Sequence, residues 1–422
     1  MSSGSLQVSI RGRQVFLVLW LSLILLPFNL VANAAAPADC NNAALLYFQA
    51  IQKYPEYPEL SSEEYQAVNA FIRDSTQMTA TVRQFLAKCQ ESIELVKAAS
   101  HIEYCNWGHE YSQGFVGYVS STHFTEIRNL AKMLCADAIM HAKDGNQKTA
   151  LEYGLVFNTF SEHVGNDSIL AQLVSQSVSV YATNTIRTTL GYDQVTHETL
   201  TWLHGELVTR QSSIQSYFQS LDSELRLALS AAKYDDIFSQ VKEDAAAGGY
   251  PGSMETMTDD ELLSHMSKPI QYFKNYMKRT ISLDMSYLQI MTDIEQIADT
   301  TTLIYEVDYP SIVQTCLSLS TAFTFYYPLA VRNEAEFALT QTAIELYDLV
   351  AQTGNLPDVL PDYLPKDPFS GTPFEYEITP EGFVLRFHEL VTSGESKSHE
   401  RTFIVPALKE VIEEEVIGPG GR

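Results

Sequence analysis

Basic residues are scarce in this sequence. The 422-residue chain has 27 lysine and arginine residues against 52 aspartate and glutamate residues, which gives a formal net charge of -25. A surface with this excess of negative charge repels nucleic acid backbones and anionic lipid headgroups. The composition therefore argues against nucleic acid as a partner.

Motifs of the common enzyme classes are also missing. The chain has no HExxH, no P-loop, no GxGxxG after a strand pattern and no nucleophile elbow. Ser230 and Lys233 match a Ser-x-x-Lys spacing, but its companion motifs are absent. Acidic pairs such as Glu334 and Glu336 point in different directions on a helix, so we expect them on a solvated face. Catalytic residues remain unknown at this stage, and no cofactor is expected.

Cysteine is rare, and an odd number leaves at least one thiol unpaired within the chain. The spacing does not define the pairing of the five residues, which are Cys40, Cys89, Cys105, Cys135 and Cys316.

One cysteine belongs to a candidate metal site. His101, Cys105 and His109 are four residues apart and would share one face of a continuous helix, as metal ligands do. Asn106 and Gly108 favour the end of a helix here. We therefore expect these three side chains to be structural, with no bound metal.

The N-terminus has the features of an export signal. Arg11 and Arg13 precede an uncharged apolar run at residues 15–31, and Ala32-Asn33-Ala34 gives the small-x-small pattern that signal peptidase accepts. The run is near the lower length limit for spanning a bilayer, so residues 1–34 are interpreted as a signal peptide or an N-terminal anchor. We expect a periplasmic or extracellular protein, with membrane anchoring through residues 15–31 as the alternative.

Helical periodicity dominates the chain from the leader to Gly354. Apolar spacing predicts helices over residues 61–99, 168–190, 197–242, 259–298 and 331–352, with Gly354 ending the last one. The acidic, glycine-rich stretch at 242–260 is predicted to be a surface loop.

A helical hairpin is predicted around residues 144–146. Ala138, Gly145, Ala150 and Phe157 are placed as in a tetratricopeptide unit, with small residues where the helices cross and glycine at the turn. No second copy follows at that period, so a repeat solenoid is not favoured. The expected fold is mainly α, a multi-helix array of antiparallel hairpins.

A small antiparallel β meander is predicted to follow Gly354. The segment "DPFSG" at 367–371 has turn composition, and a type I turn at 379–382 separates two alternating patterns. A third strand is predicted at 401–405. We expect the meander to pack against the helix at 331–352, because it is too small to be stable alone. The apolar positions expected to be buried are Phe374, Tyr376, Ile378, Phe383, Leu385 and Phe387.

These motifs carry a family resemblance. The helix followed by "LPDYLPKDPFSGTPFEYEITPEGFVLRF" resembles the C-terminal part of type II secretion pseudopilins. With "NAALLYFQA", "CNWG" and "DGNQKTAL", nearly the whole mature chain resembles a family of uncharacterised exported helical proteins from planctomycete-type bacteria. The leader lacks the pseudopilin peptidase site, and the ending after Phe387 departs from the calcium loop of pseudopilins. The resemblance implies an architecture and a compartment, and no activity.

Two classes of function remain. The first is a non-enzymatic envelope protein that binds or scaffolds a protein partner, and the second is an exported hydrolase with a site assembled from residues distant in sequence. An open groove would favour binding, and a closed pocket of convergent histidine, cysteine and carboxylate groups would favour hydrolysis. The expected organisation is a leader at 1–34, a helical array at 35–300, and a long helix with the meander and an acidic tail at 301–422.

Overall fold

The structure is a computed structural model. It describes residues 41–55, 63–109, 118, 121–165, 168–208, 220, 223, 237–247, 254–281, 285–305, 310–390 and 396–406. The leader, the Ser230/Lys233 pair and the C-terminal tail lie outside these residues. Among the described helices, none combines the length and the apolar character that crossing a bilayer requires.

The described residues form eleven helices and one three-stranded antiparallel sheet, which confirms the predicted fold class. The helices are α1 (Ala43–Lys53), α2 (Glu63–Arg73), α3 (Ala80–Ser100), α4 (Phe124–Lys143), α5 (Gln147–Gly165), α6 (Ile169–Leu190), α7 (His197–Val208), α8 (Ile237–Ala246), α9 (Asp259–Thr280), α10 (Tyr287–Tyr305) and α11 (Pro310–Thr353). The strands are β1 (Glu375–Thr379), β2 (Gly382–Leu390) and β3 (Ser396–Ile404).

The single helix predicted over residues 61–99 is wrong, because the chain turns between α2 and α3. Asp74 accepts hydrogen bonds from the backbone N–H and the hydroxyl of Thr76, at 3.0 and 2.7 Å. The hydroxyl of Thr79 then caps α3 by accepting from the N–H of Val82 at 3.3 Å. These short polar side chains bind the backbone in place of helical partners and so end one helix and start the next.

Three other predicted boundaries also change. The last helix begins at Pro310 rather than near residue 331, and Pro328 lies inside it. Proline lacks the N–H for one helical bond, yet the helix continues through it. The predicted loop at 242–260 begins within α8, and the helix predicted over 259–298 divides into α9 and α10, with Ile281 and Ser286 outside both. Most of the helix predicted over 197–242 lies beyond Val208, outside the described residues. Gly354 ends α11 as expected, with φ of 76° and its N–H donating to the carbonyl of Val350 at 2.8 Å.

Helices α4 and α5 form the predicted antiparallel hairpin. Gly145 has a φ of 83° at the turn, a conformation that favours glycine. Ala138, Ala150 and Phe157 are all buried. Arg83 of α3 pairs with Asp144 at the turn through two bonds of 2.7 and 2.9 Å, which ties the hairpin to its neighbour.

Buried apolar side chains form two hydrophobic cores. The first core is built mainly from α1 to α6, and the second from α7, α9, α10, α11 and the sheet. Helix α6 belongs to both: Val178 and Ala182 pack in the first core, and Ile186 and Leu190 pack in the second. This helix therefore joins the two halves. The domain division expected from the sequence stays a prediction.

Two segments that carry the family resemblance contact each other in the first core. The Asn42 amide donates to the carbonyl of Asn106 at 2.8 Å and accepts from the Asn106 N–H at 2.9 Å. The ring of Trp107 stacks on Tyr47 at 5.3 Å, and its N–H donates to the carbonyl of His163 at 2.7 Å. "NAALLYFQA" and "CNWG" thus have a shared structural role.

The "DPFSG" segment is a closed loop that inserts Phe369 into the second core. The Asp367 carboxylate accepts from the N–H of Phe369 at 2.9 Å, and the Asp367 carbonyl accepts from the N–H of Gly371 at 2.7 Å. The Phe369 ring lies 4.9 Å from the ring of Tyr287 and 6.0 Å from that of Phe387. The loop therefore links α10 to the sheet.

The sheet packs against α11. Strand β2 is central, and Phe383, Leu385 and Phe387 are buried as predicted. The prediction for Ile378 is wrong, since its side chain is 46% exposed. Ile378 lies on β1, an edge strand of the sheet, beside the turn to β2. On the buried side, the ring of Tyr347 from α11 lies 5.8 Å from that of Phe383.

Candidate functional site

A cleft of about 230 Å³ opens between α6, α11 and β3, at the junction of the two cores. Its wall combines apolar, hydroxyl, amide and charged side chains from three elements that are distant in sequence. These residues are Val180, Tyr181, Thr183, Asn184, Arg187, Glu336, Leu339, Thr340, Arg401 and Phe403. Pockets with a few convergent polar groups in an apolar frame are the usual form of ligand sites.

Helix α6 supplies one wall of the cleft. Val180, Asn184 and Arg187 are spaced by four and three residues, so one face of the helix presents all three to the cleft. Val180 is 54% exposed, and it marks the rim. Arg187 is the only charged residue in the sequence of α6. A single cation on an otherwise apolar and hydroxyl-rich helix is therefore placed at the cleft.

Helix α11 and strand β3 supply the opposite wall. Arg401 donates to both carboxylate oxygens of Glu336, with the Nε to Oε2 distance at 2.9 Å. Leu339 lies one turn beyond Glu336, and Phe403 lies two residues beyond Arg401 on the same side of the strand. A charge-assisted bidentate pair and an apolar surface thus lie side by side in the cleft.

Arg187 lacks such a carboxylate partner. The side chain is half-buried, and its NH2 group donates to Asn184 Oδ1 at 2.7 Å. Within the described part of the chain, no carboxylate oxygen lies at ion-pair distance from this guanidinium. Burial lowers the pKa of Arg187, the nearby Arg401 lowers it further, and Glu336 opposes both effects. The cleft therefore holds two cations and one anion in a protein of formal net charge -25.

The cleft combines hydrogen-bonding groups with apolar surface. Its hydroxyl and amide groups can donate and accept hydrogen bonds, and the described residues that line it include no histidine or cysteine. The one carboxylate, Glu336, is engaged by Arg401. A general base and an activated nucleophile within reach of each other are the usual requirements for hydrolysis, and the described lining supplies neither.

The sequence-predicted metal candidates do not share a helix face. His101 is the C-cap of α3, and residues 102–109 are not helical. The ring of His109 stacks near Trp107 at 6.3 Å, among other aromatic rings. The helical spacing that suggested metal ligands is thus absent. Across the described residues, no group of three or more histidine, cysteine, aspartate or glutamate side chains could hold a metal ion.

Three cysteines are free thiols. Burial raises the pKa of Cys89 and Cys105 to about 12 and that of Cys135 to about 11. Thiols with raised pKa values are poor nucleophiles at neutral pH, which gives them a packing role. Cys40 and the side chain of Cys316 lie outside the described part of the chain.

A second polar cluster is buried between α3, α4 and α5. Asp137 is 1% exposed, and its Oδ2 accepts a short hydrogen bond from the hydroxyl of Tyr153. The Nε2 of His141 lies 3.8 Å from the same oxygen, whereas Oδ1 of Asp137 has no hydrogen-bond partner among the described residues. Burial raises the pKa of Asp137, opposed by Tyr153 and His141. The carboxylate of this cluster is therefore buried and not accessible to a substrate.

Sequence reasoning missed the residues of the cleft. Glu336 was expected on a solvated face, and this is wrong, because the side chain is 8% exposed and bonded to Arg401. One sequence feature could have marked Arg187 as a candidate site residue: it is the single charged residue of a 22-residue helix. Nothing in the sequence indicated that Arg187, Glu336 and Arg401 would meet.

No protein-family model, no curated protein and no solved structure matches the chain. The family resemblance noted from the sequence motifs stays a prediction. The functional argument therefore depends on the geometry of the cleft.

Proposed function

We propose that this chain is an exported, non-enzymatic binding protein of the cell envelope, and that the cleft receives part of a protein partner. The observation that carries the proposal is the cleft itself, with a half-buried arginine that has no carboxylate partner in the described structure. Buried cations are normally paired, because removing a charge from water is costly. A ligand that supplies the missing group would bind here.

The size of the cleft supports a limited contact. Pockets for drug-sized ligands occupy about 300–1,000 Å³, so a cleft of about 230 Å³ fits one or two side chains or a chain end. The formal net charge of -25 disfavours nucleic acid and anionic membranes as partners. A protein segment is the partner that fits both properties.

The alternative function is an exported hydrolase. Such an enzyme would need a nucleophile with a base beside it, or a metal ligand set, in an accessible pocket. The described residues lining the cleft supply hydroxyl groups without a histidine or a free carboxylate. Binding is therefore the function that the geometry supports better.

Photo-crosslinking from the rim of the cleft tests this proposal. A photoreactive amino acid at Val180, which is 54% exposed, should give a discrete adduct with an envelope protein in the native cell. The matched control is the same probe at Val359, which is 76% exposed and does not line the cleft. Thr183→Trp fills the cleft from α6 and should suppress the Val180 adduct.

Equal adducts from Val180 and Val359 would contradict the proposal. So would a Val180 adduct that survives Thr183→Trp in a protein with an unchanged thermal unfolding curve. Because Thr183 is only partly buried, the larger side chain can be accommodated toward the cleft without displacing either core.

A further inference from the structure

The unfilled hydrogen-bonding capacity of Arg187 defines the chemistry of the ligand. A guanidinium carries five N–H donors arranged as a planar fork. In the described structure, one hydrogen bond is made, from NH2 to Asn184 Oδ1 at 2.7 Å. The fork therefore has donors left for a planar acceptor that enters the cleft, and a carboxylate matches two of them at once.

Glu336 cannot supply that acceptor. Both of its oxygens accept from Arg401, and one of these bonds is from Nε at 2.9 Å. The bidentate pair neutralises Arg401, so the three charged side chains of the cleft leave one formal positive charge. One net charge suits a monoanion such as a carboxylate better than a dianionic phosphate.

The wall beside the charged groups is apolar. Leu339 is 1% exposed and Phe403 is 2% exposed, yet both line the cleft, so they form its floor. Across the cleft, on the α6 wall, Val180 adds an exposed apolar side chain at the rim. An aliphatic group attached close to the carboxylate would cover this surface and exclude water from the ion pair, which strengthens the pair.

We propose that the cleft binds a carboxylate through Arg187 and an adjoining aliphatic group between Val180 and the floor formed by Leu339 and Phe403. This inference rests on the proposed binding function and gives its ligand class. The C-terminal residue of a polypeptide and a free aliphatic acid share this chemistry, and the experiment distinguishes these two sources.

Titration with a matched acid and amide tests the proposal. N-acetyl-leucine supplies a carboxylate and an isobutyl group, whereas N-acetyl-leucinamide has the same shape without the charge. The acid should bind the full-length protein about tenfold to a hundredfold more tightly than the amide, as expected for a charge-assisted hydrogen bond. Isothermal titration calorimetry measures both.

Two arginine variants identify the residue responsible. Arg187→Gln should lose the preference for the acid, and Arg187→Lys should retain part of it, because the charge remains but the planar fork is gone. Arg83→Gln is the matched control, since Arg83 pairs with Asp144 on the surface and does not line the cleft. This control should bind like the wild type.

A decapeptide ending in leucine separates the two sources. If it binds more tightly than N-acetyl-leucine and loses this affinity on C-terminal amidation, the ligand is a chain end. If the peptide binds much more weakly than N-acetyl-leucine, the cleft does not accommodate a preceding chain, and the free acid is the ligand.

Equal binding of acid and amide, or full acid preference in a folded Arg187→Gln protein, would overturn the inference. In that case a Val180 adduct suppressed by Thr183→Trp would still support the binding function. Failure of that crosslinking would instead count against the proposed function itself.

Discussion

Replacing Phe369 with alanine should destabilise the second core strongly. The side chain is 4% exposed and lies between the rings of Tyr287 and Phe387, at 4.9 and 6.0 Å. Truncating a buried phenylalanine to alanine lowers the free energy of unfolding by about 3–5 kcal/mol. Because Phe369→Ala also removes two aromatic pairs, we expect a loss of about 4 kcal/mol or more. A typical domain has about 5–15 kcal/mol of net stability, so a cost of about 4 kcal/mol is a large fraction.

Urea unfolding monitored by circular dichroism measures this effect. Because m in urea rises with chain size and reaches about 3 kcal/mol/M for small proteins, a cost of about 4 kcal/mol should lower the unfolding midpoint by up to about 1.3 M. Val359→Ala is the control, because that side chain is 76% exposed and its truncation should change stability by less than about 0.5 kcal/mol. If Phe369→Ala behaves like Val359→Ala, the "DPFSG" loop does not hold the sheet to α10, and a docking role for this segment becomes the better explanation.

Three further predictions concern a buried acid, two glycines and the leader. Asp137→Asn should stabilise the protein at pH 7, because burial raises the pKa of the Asp137 carboxyl in the folded state. The protonated carboxyl contributes fully to folding stability only below the unfolded-state pKa near 4, and this contribution is lost as the pH rises through the higher folded-state pKa. Asparagine still accepts from Tyr153, so the difference in melting temperature should shrink toward pH 4, and a variant less stable than wild type at pH 7 would contradict this reasoning. Gly382→Ala should cost roughly 1–3 kcal/mol, because its Cβ would lie 2.1 Å from the carbonyl oxygen of Phe403. Gly205→Ala, with no atom within 4 Å of its Cβ, should be neutral or slightly stabilising, and equal costs for the two substitutions would refute the steric argument. N-terminal sequencing of the protein purified from its native cells should find Ala35 first, as expected for a cleaved signal peptide, and Met1 on a membrane-bound species would favour the anchor.

Local sequence patterns were sufficient for much of the fold. Apolar spacing predicted the α4–α5 hairpin, and glycine at positions 145 and 354 marked ends where the backbone adopts positive φ. Strand alternation and turn composition likewise predicted the meander and its burial against α11. Each of these features depends on residues close in sequence, so a short window contains the physical cause.

The wrong predictions of helix boundaries and of Ile378 burial have two kinds of cause, which are side-chain capping and tertiary packing. Asp74 and Thr79 break a helix by hydrogen-bonding to the backbone within a region that still looks helical by apolar spacing. Pro328 suggests a helix end, but α11 continues through it within the fold. Ile378 alternates correctly with its strand neighbours, yet a position at the sheet edge leaves it exposed. None of these outcomes can be decided from periodicity alone.

The cleft could not be predicted from the sequence, because tertiary packing alone creates it. Its three walls come from α6, α11 and β3, so Arg187 and Arg401 are more than two hundred residues apart in the chain. The charge pattern of each segment, taken separately, is ordinary. Only the packing of α6 across both cores brings the unpaired guanidinium next to the Glu336–Arg401 pair.

Competition between the small acid and the proposed protein partner tests the central claim most directly. Val180 crosslinking in an envelope extract would be measured while N-acetyl-leucine is raised through its own dissociation constant, with N-acetyl-leucinamide as the control. If one cleft recognises a carboxylate of the partner through Arg187, the adduct should fall in parallel with saturation by the acid and stay constant with the amide. A Val180 adduct that is unchanged when the acid is saturating would contradict the account.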